Sequence, residues 1–309
     1  MRILVTGGCG FIGSAFVRLL CKKGYRPVIV DKLTYAGNRD NVSCVDNHYK
    51  LYKLDIRNKS SMDSITRGER IDTIVNIAAE SSVDKSIADC TPFVETNIKG
   101  VKVLLEIARK YRVKRFIQIS TDEVYGENLD ATGFDEDTRL SPSNPYAASK
   151  AAADLLIKSY IRTYGFPAVI IRPCNNYGCY QHDEKFIPKI IRSVNAGESF
   201  PLHGTGEEKR EWIWVEDCAE GIYKVMRKGK LGEVYNLGSG EERRNLEIIT
   251  LIADTLCKPH FLDVGYSRPG LDRRYFLNSG KIKKLGWKPK MRLNKGILKT
   301  IKHYILDKR

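Results

Sequence analysis

The sequence predicts an α/β fold: a doubly wound parallel sheet over the first two-thirds, then a smaller mixed α/β C-terminal domain. Three observations predict it. Short β-branched runs alternate with long helical stretches as far as residue 172. A glycine cluster separates the first such run from the first helical stretch. Beyond Pro173 the segments become shorter and richer in Gly, Pro and Trp.

Residues 2–6 form a short apolar run that predicts the first strand. Residues 11–23 then repeat apolar side chains at helical spacing. Residues 27–31 (PVIVD) predict a second strand and residues 49–54 a third. Residues 73–78 (TIVNIA) and 115–120 (RFIQIS) are continuous β-branched runs, typical of strands covered on both faces. Between them, residues 92–111 predict a long helix. Asn144-Pro145 opens another over residues 146–164, and residues 168–172 (AVIIR) predict a further strand. These units divide the chain into a larger N-terminal domain, 1–172, and a smaller C-terminal domain, 173–309, partly interleaved with the first.

The composition, 309 residues with 42% hydrophobic and 29% charged, is that of a globular protein large enough for two domains. No apolar run reaches the roughly 18–20 residues that a membrane helix needs. The N-terminus opens directly as a buried strand, which predicts no signal peptide and a cytoplasmic location. Eight scattered cysteines without C-x-x-C spacing predict free thiols, mostly buried, and no metal site. The net charge of +15 is spread along the chain, with no basic run of five. It suits an anionic small molecule better than a nucleic acid.

Gly7, Gly10 and Gly13 follow the first strand and open the first helix. Glycines there allow a tight turn and let a pyrophosphate reach the positive end of the helix, the arrangement of a Rossmann-type nucleotide site. Asp31 ends the second strand, where a carboxylate would hold ribose hydroxyls and repel a 2′-phosphate. The cofactor expected is therefore NAD, although Lys32 beside it weakens that preference. Asp55 and Ile56, after the third strand, would meet the adenine.

Tyr146 and Lys150 stand four apart on a predicted helix, on one face. An ammonium beside a phenol lowers the phenol's pKa and makes it a general base. Asp122 and Glu123, after the strand ending at Ser120, add two carboxylates that simple hydride transfer does not require.

Several stretches carry a family resemblance. They are Asp31-Lys-Leu-Thr-Tyr-Ala-Gly-Asn38, Ala78-Ala-Glu-Ser81, Ser120-Thr-Asp-Glu-Val-Tyr-Gly126 and Tyr146-x-x-x-Lys150. Asn175-Asn-Tyr-Gly178, Glu184-Lys185, Arg210-x-Trp212 and Arg268-Pro-Gly-x-Asp-Arg-Arg-Tyr275 follow. Together they resemble the extended short-chain dehydrogenase/reductases, and within them the dTDP-glucose 4,6-dehydratase-like nucleotide-sugar dehydratases. Thr121-Asp122-Glu123, in place of the Ser-Ser-x of related 4-epimerases, is the most specific match.

The resemblance implies that Tyr146 deprotonates the 4-hydroxyl of a sugar while Thr121 hydrogen-bonds it. Glu123 would then take the carbon-5 proton, and Asp122 would protonate the departing 6-hydroxyl. It further implies cofactor contacts from Phe11, Ile12, Thr34, Ala78, Ala79, Thr96 and Asn176. For the nucleotide diphosphate it implies Ser82, Asn175, Lys185 and Phe186, with Arg210, Asn245, Arg268 and Arg273. The activity implied is lyase chemistry, with a 4-epimerase or decarboxylase of the same fold as the alternative. A homodimer through the two long helices is implied as well. Ser82 and Leu271 stand where the family usually has His, Cys179 and Asp183 where it has Pro. The first two bear on which sugar or base is bound.

Overall fold

The computed structural model describes residues 1–130, 132–266 and 268–306. The first six strands are β1 (Ile3–Thr6), β2 (Val28–Asp31), β3 (Lys50–Lys53), β4 (Thr73–Asn76), β5 (Arg115–Ile119) and β6 (Ala168–Pro173). β7 (Asn175–Tyr177), β8 (Ser199–His203) and β9 (Lys209–Trp214) follow, then β10 (Val234–Leu237), β11 (Glu242–Arg244) and β12 (Phe261–Tyr266). The central sheet has seven strands in the order β3-β2-β1-β4-β5-β6-β10, every pair parallel. The order reverses between β1 and β4, and such a switch point opens a crevice at the strands' carboxyl ends.

Because successive strand residues point to opposite faces, the β-branched runs feed two cores. Ile3 and Val5 enter one with Val75, Ile117 and Ile171, under α1 (Phe11–Lys22). Leu4, Ile74, Phe116 and Ile170 enter the other, under α2 (Lys59–Gly68). Beyond β4 come two short helices, α3 (Val83–Ala88) and α4 (Thr91–Phe93), then α5 (Val101–Lys110) and α6 (Pro145–Tyr164). α5 and the lower part of α6 complete the second core. Asn144 caps α6 by accepting the Ala147 N–H at 2.9 Å, and Pro145 occupies the first turn. The helix therefore begins at the cleft and carries Tyr146 in its first turn.

α7 (Phe186–Ala196), α8 (Val215–Lys228), α9 (Asn245–Leu256), α10 (Gly280–Lys284) and α11 (Leu293–Ile305) complete the chain. α8 packs beside α1 on the first core, and β10 extends the main sheet, so the C-terminal third re-enters the N-terminal layer. α7, α9 and α11 enclose a third core with β8 and β9. β7, β9 and β11 make a small mixed sheet, and β8 pairs with β12.

The helix expected over residues 92–111 is not uniform. Residues Val94–Gly100 between α4 and α5 form a π-helix, a form that recurs at functional sites. Two local demands accompany it. Asn97 exchanges hydrogen bonds with the backbone of Glu80 at 2.9 and 3.0 Å, and a β-carbon on Gly100 would lie 2.6 Å from Ile56. The cysteines also differ from expectation: Cys9, Cys174 and Cys218 are buried, whereas Cys44, Cys90 and Cys257 are exposed. Of the exposed three, Cys44 lies in a 3-10 turn, Cys90 just before α4 and Cys257 at the end of α9.

Phe116 is fully buried in β5 against Phe166, with ring centroids 5.8 Å apart. Phe116→Ala should lower unfolding stability by about 3–5 kcal/mol, read as a reduced urea midpoint with an unchanged slope.

Candidate active site

Above the switch point lies a cleft of about 310 Å³. Its floor depends on two glycines. Gly7 has φ +67°, and a β-carbon there would sit 2.6 Å from the Ala78 nitrogen. One on Gly13 would sit 1.9 Å from the Gly7 carbonyl oxygen. The ends of β1 and β4 and the start of α1 thus meet at backbone distance, with the first N–H groups of α1 facing the cleft.

Every residue expected around a dinucleotide lines this cleft. They are Gly7, Gly10, Phe11, Ile12 and Gly13 from the first turn and helix, Asp31, Lys32 and Thr34 after β2, and Asp55 and Ile56 after β3. Ala78 and Ala79 after β4, Thr96 in the π-helix and Asn176 in β7 join them. Asp31 is buried, and its two oxygens accept the N–H groups of Cys9 and Leu33, each at 2.8 Å. Lys32 does not point at Asp31; it pairs with Asp55 at 3.0 Å. Burial pushes the Asp55 carboxyl up, but hydrogen bonds from Arg57 and Lys32 hold it well below the usual carboxylate range.

Thr121, Asp122, Glu123, Tyr146 and Lys150 share the inner end of the cleft. β5 ends at Ile119, and a 3-10 turn over Asp122–Tyr125 follows. Thr121 Oγ1 donates to Asp122 Oδ1 at 3.2 Å and accepts the Glu123 N–H at 3.3 Å. Asn144, the cap of α6, donates to Glu123 Oε2 at 3.2 Å and so ties the turn to the helix that carries Tyr146.

The electrostatics separate the two carboxylates. Burial pushes Asp122 well above its ordinary value, and the neighbouring charges of Glu123 and Glu211 add to it. Its Oδ2 is buried without a hydrogen-bond partner among the described residues, as suits a carboxyl that carries its own proton. Burial also raises Glu123, but the Asn144 hydrogen bond and the charges of Arg210, Arg268 and Lys185 oppose it.

One expectation about Tyr146 is corrected. Its phenol is pushed up, first by burial and then by the Glu123 charge, with only the Thr121 hydrogen bond lowering it appreciably. Lys150 does not pull it down, because its Nζ donates to the Ile119 carbonyl at 2.6 Å and its own pKa falls to about 8 on burial.

The residues expected around the nucleotide sugar divide. Asn175 and Lys185 line the cleft, and Lys185 Nζ donates to the Ser81 carbonyl at 2.8 Å. Ser82, Phe186, Arg210, Asn245, Arg268 and Arg273 do not line it. Arg210 and Arg268 nevertheless lie close enough to act on Glu123. Arg210 is buried over the Tyr275 ring at 4.4 Å, and Arg268 pairs with Asp84 at 3.3 Å. Phe186 stacks on Trp212, with centroids 5.9 Å apart; Ser82 precedes α3, and Asn245 opens α9. Arg273 stands apart, its side chain 85% exposed and facing Glu127.

The cleft also contains Ala36, Gly37, Glu80, Gln181 and His182, which the sequence reading passed over as site residues. Gly37 had a usable signal, lying within the Asp31–Asn38 stretch. Gln181 and His182 had none, because they arrive from an irregular loop without periodicity.

If the guanidinium of Arg210 restrains Glu123, Arg210→Met should raise the Glu123 titration midpoint. Carbon-13 NMR of the labelled carboxyl reads this, and an unmoved midpoint refutes the assignment.

The chain matches the family described as GDP-mannose 4,6 dehydratase over residues 4–300. It is 45% identical over 314 residues to the low-salt glycan biosynthesis protein Agl12 of Haloferax volcanii, covering 99% of each chain. It is 43% identical over 345 residues to a dTDP-glucose 4,6-dehydratase of Escherichia coli, covering 100% of this chain and 94% of that one. Among solved structures, a dTDP-glucose 4,6-dehydratase double mutant from Streptomyces venezuelae with NAD bound gives a TM-score of 0.95 at 41% identity. That match covers 100% of this chain and 98% of the other. A UDP-glucose 4-epimerase of Thermus thermophilus with NAD gives 0.93 at 31% identity, over 98% and 99% of the two chains. By its length of match and its full-length relatives, this chain belongs to the GDP-mannose 4,6 dehydratase family.

Proposed function

We propose that the chain is an NAD-dependent nucleotide-sugar 4,6-dehydratase, a hydro-lyase that converts dTDP-glucose to dTDP-4-keto-6-deoxyglucose. The observation that carries this reading is the Asp122–Glu123 pair beside Tyr146, two carboxylates with unlike surroundings at one end of a nucleotide cleft. The full-length dTDP-glucose 4,6-dehydratase relatives support it.

The cleft fits NAD. Its glycine floor leaves space that a β-carbon would fill, and the N-terminus of α1 suits a pyrophosphate. The Asp31 carboxylate accepts two backbone N–H groups and keeps lone pairs for ribose hydroxyls. Asn175 Oδ1 and Asn176 Oδ1 are buried acceptors without partners among the described residues. When bound, the nicotinamide supplies the hydride acceptor for carbon 4 and the hydride returned to carbon 6.

The chain's own groups handle protons. Tyr146 takes the 4-hydroxyl proton, with Thr121 hydrogen-bonding the same oxygen. A protonated Asp122 removes one of the negative charges that hold the phenol up. Lys150 lines the same cleft, where its ammonium acts on bound substrate and cofactor rather than on the free phenol. Glu123 takes the carbon-5 proton, which the 4-keto group acidifies. Asp122 gives its proton to the leaving 6-hydroxyl. Arg210, Arg268 and Lys185 are the cations available to a diphosphate. Ser82 and Leu271, where the sequence departs from the family pattern, are proposed to tune the choice of sugar or base.

The same proposal includes a homodimer. Val94 at the start of the π-helix, and Leu155 and Tyr164 on α6, expose apolar surface at 38%, 58% and 52%. A cytoplasmic location is proposed with it, supported by eight free cysteines. No helix among the described residues is long and apolar enough to cross a membrane.

Incubation with dTDP-glucose and with UDP-glucose, without added reductant, should yield a 4-keto-6-deoxy product from the former. A 4-epimer, or loss of carbon dioxide from a UDP-glucuronate control, would instead establish the epimerase or decarboxylase reading. Tyr146→Phe should lower oxidation by about 10²–10⁴-fold. Asp122→Asn and Glu123→Gln should oxidise carbon 4 yet fail to eliminate water, as separated by quenched single turnovers.

The pH profile follows from the shifts. Glu123 acts as carboxylate, so elimination rises as pH passes its elevated pKa. Lys150 acts as ammonium, so oxidation falls as pH passes about 8. A profile that keeps rising beyond that point would contradict the role given to Lys150.

A further inference from the structure

Behind the site lies a buried polar network, Asp154, Arg172, Tyr125 and Asn236, that the proposed chemistry does not use. Tyr146, Lys150 and Asp154 occur at four-residue intervals along one face of α6, and all three are buried. Asp154 Oδ2 accepts Arg172 Nε at 2.9 Å, with both side chains at 0% exposure. Arg172 lies in β6, between β5 and β10. Its Nη1 donates to the Tyr125 hydroxyl at 2.8 Å, and its guanidinium covers the Tyr125 ring at 4.7 Å. Tyr125 ends the turn that begins at Asp122, and its hydroxyl donates to Asn236 Oδ1 of β10 at 2.7 Å.

One guanidinium is therefore bonded to both halves of the site. Through Asp154 it reaches the helix of Tyr146 and Lys150; through Tyr125 it reaches the turn of Asp122 and Glu123. A buried ion pair adds little net stability over an apolar replacement of equal volume, because desolvation offsets the attraction. Geometry is what it supplies. Hydrogen bonds at fixed angles hold a helix and a turn in register where interchangeable methyl groups would not.

We propose that Arg172 is a positioning residue that sets the spacing between the oxidising pair and the eliminating pair, with Asp154 and Tyr125 as its two arms. This rests on the dehydratase reading. Asp154 has a second effect, since its charge favours the ammonium form of Lys150 against burial.

Two conservative variants test each arm. Tyr125→Phe removes one hydroxyl and should slow elimination by about ten- to a hundredfold while leaving oxidation within about twofold. Asp154→Asn should do the reverse, and should move the alkaline limit of oxidation below that of the wild-type enzyme. Where Asp154→Asn fails to fold, Tyr125→Phe alone decides. In the free protein, Tyr125→Phe should also speed amide exchange at residues 124–126 relative to the strand amides of β5. Equal loss of both steps, or no loss with unchanged exchange, overturns the proposal. A wild-type enzyme that oxidises but never eliminates refutes the dehydratase reading instead, and the exchange result then still decides the role of the network.

Discussion

The site rests on a backbone contact too close for any β-carbon. Gly13 is pressed against the Gly7 carbonyl, and Gly7 against the backbone at Ala78. That contact seats α1 directly over the end of β1 and brings β4 alongside. The crevice at the strand reversal, the exposed N–H groups of α1 and the approach of Asp31 to the glycine turn all follow from it. A side chain at Gly13 would separate helix from strand and displace the whole wall, which is why the glycines recur every three residues just at this point.

Desolvation governs the chemistry around that floor. Asp122, Glu123, Tyr146 and Lys150 are each shifted toward their neutral forms by burial. Burial thus lets Asp122 hold a proton that it can give to a leaving group, and makes Glu123 a stronger base once it is ionised. The differences between neighbours then assign direction. The charges of Arg210, Arg268 and Lys185 oppose the rise at Glu123, whereas those of Glu123 and Glu211 add to it at Asp122, so one fold distinguishes two adjacent carboxylates by their charged neighbours.

Much of this was legible before the structure. The β-branched runs specified a doubly covered sheet because a parallel strand has no solvated face, and Asn144-Pro145 announced the start of α6 by capping chemistry. Gly7, Gly13, Asp31 and the Tyr146–Lys150 spacing pointed to one cleft because local geometry alone demands those residue types. What sequence concealed depended on distant partners. The π-helix at Val94–Gly100 answers to Glu80 and Ile56, far away in the chain. The direction of Lys150 was misread because its acceptor is a backbone carbonyl, which no residue pattern records. Arg273 looked like its neighbours Arg268 and Arg274 in sequence, and only the turn of the chain sends it outward.

The seventh strand of the sheet has a bearing on biosynthesis. β10 closes the edge of β6 but is made about sixty residues later, after an entire helical and mixed segment. During synthesis the growing chain carries β6 as an open edge, with Arg172 lacking the strand that holds Asn236. Until β10 docks, the sheet has an open strand edge at β6, and closing it across so long a sequence separation slows folding relative to local pairing.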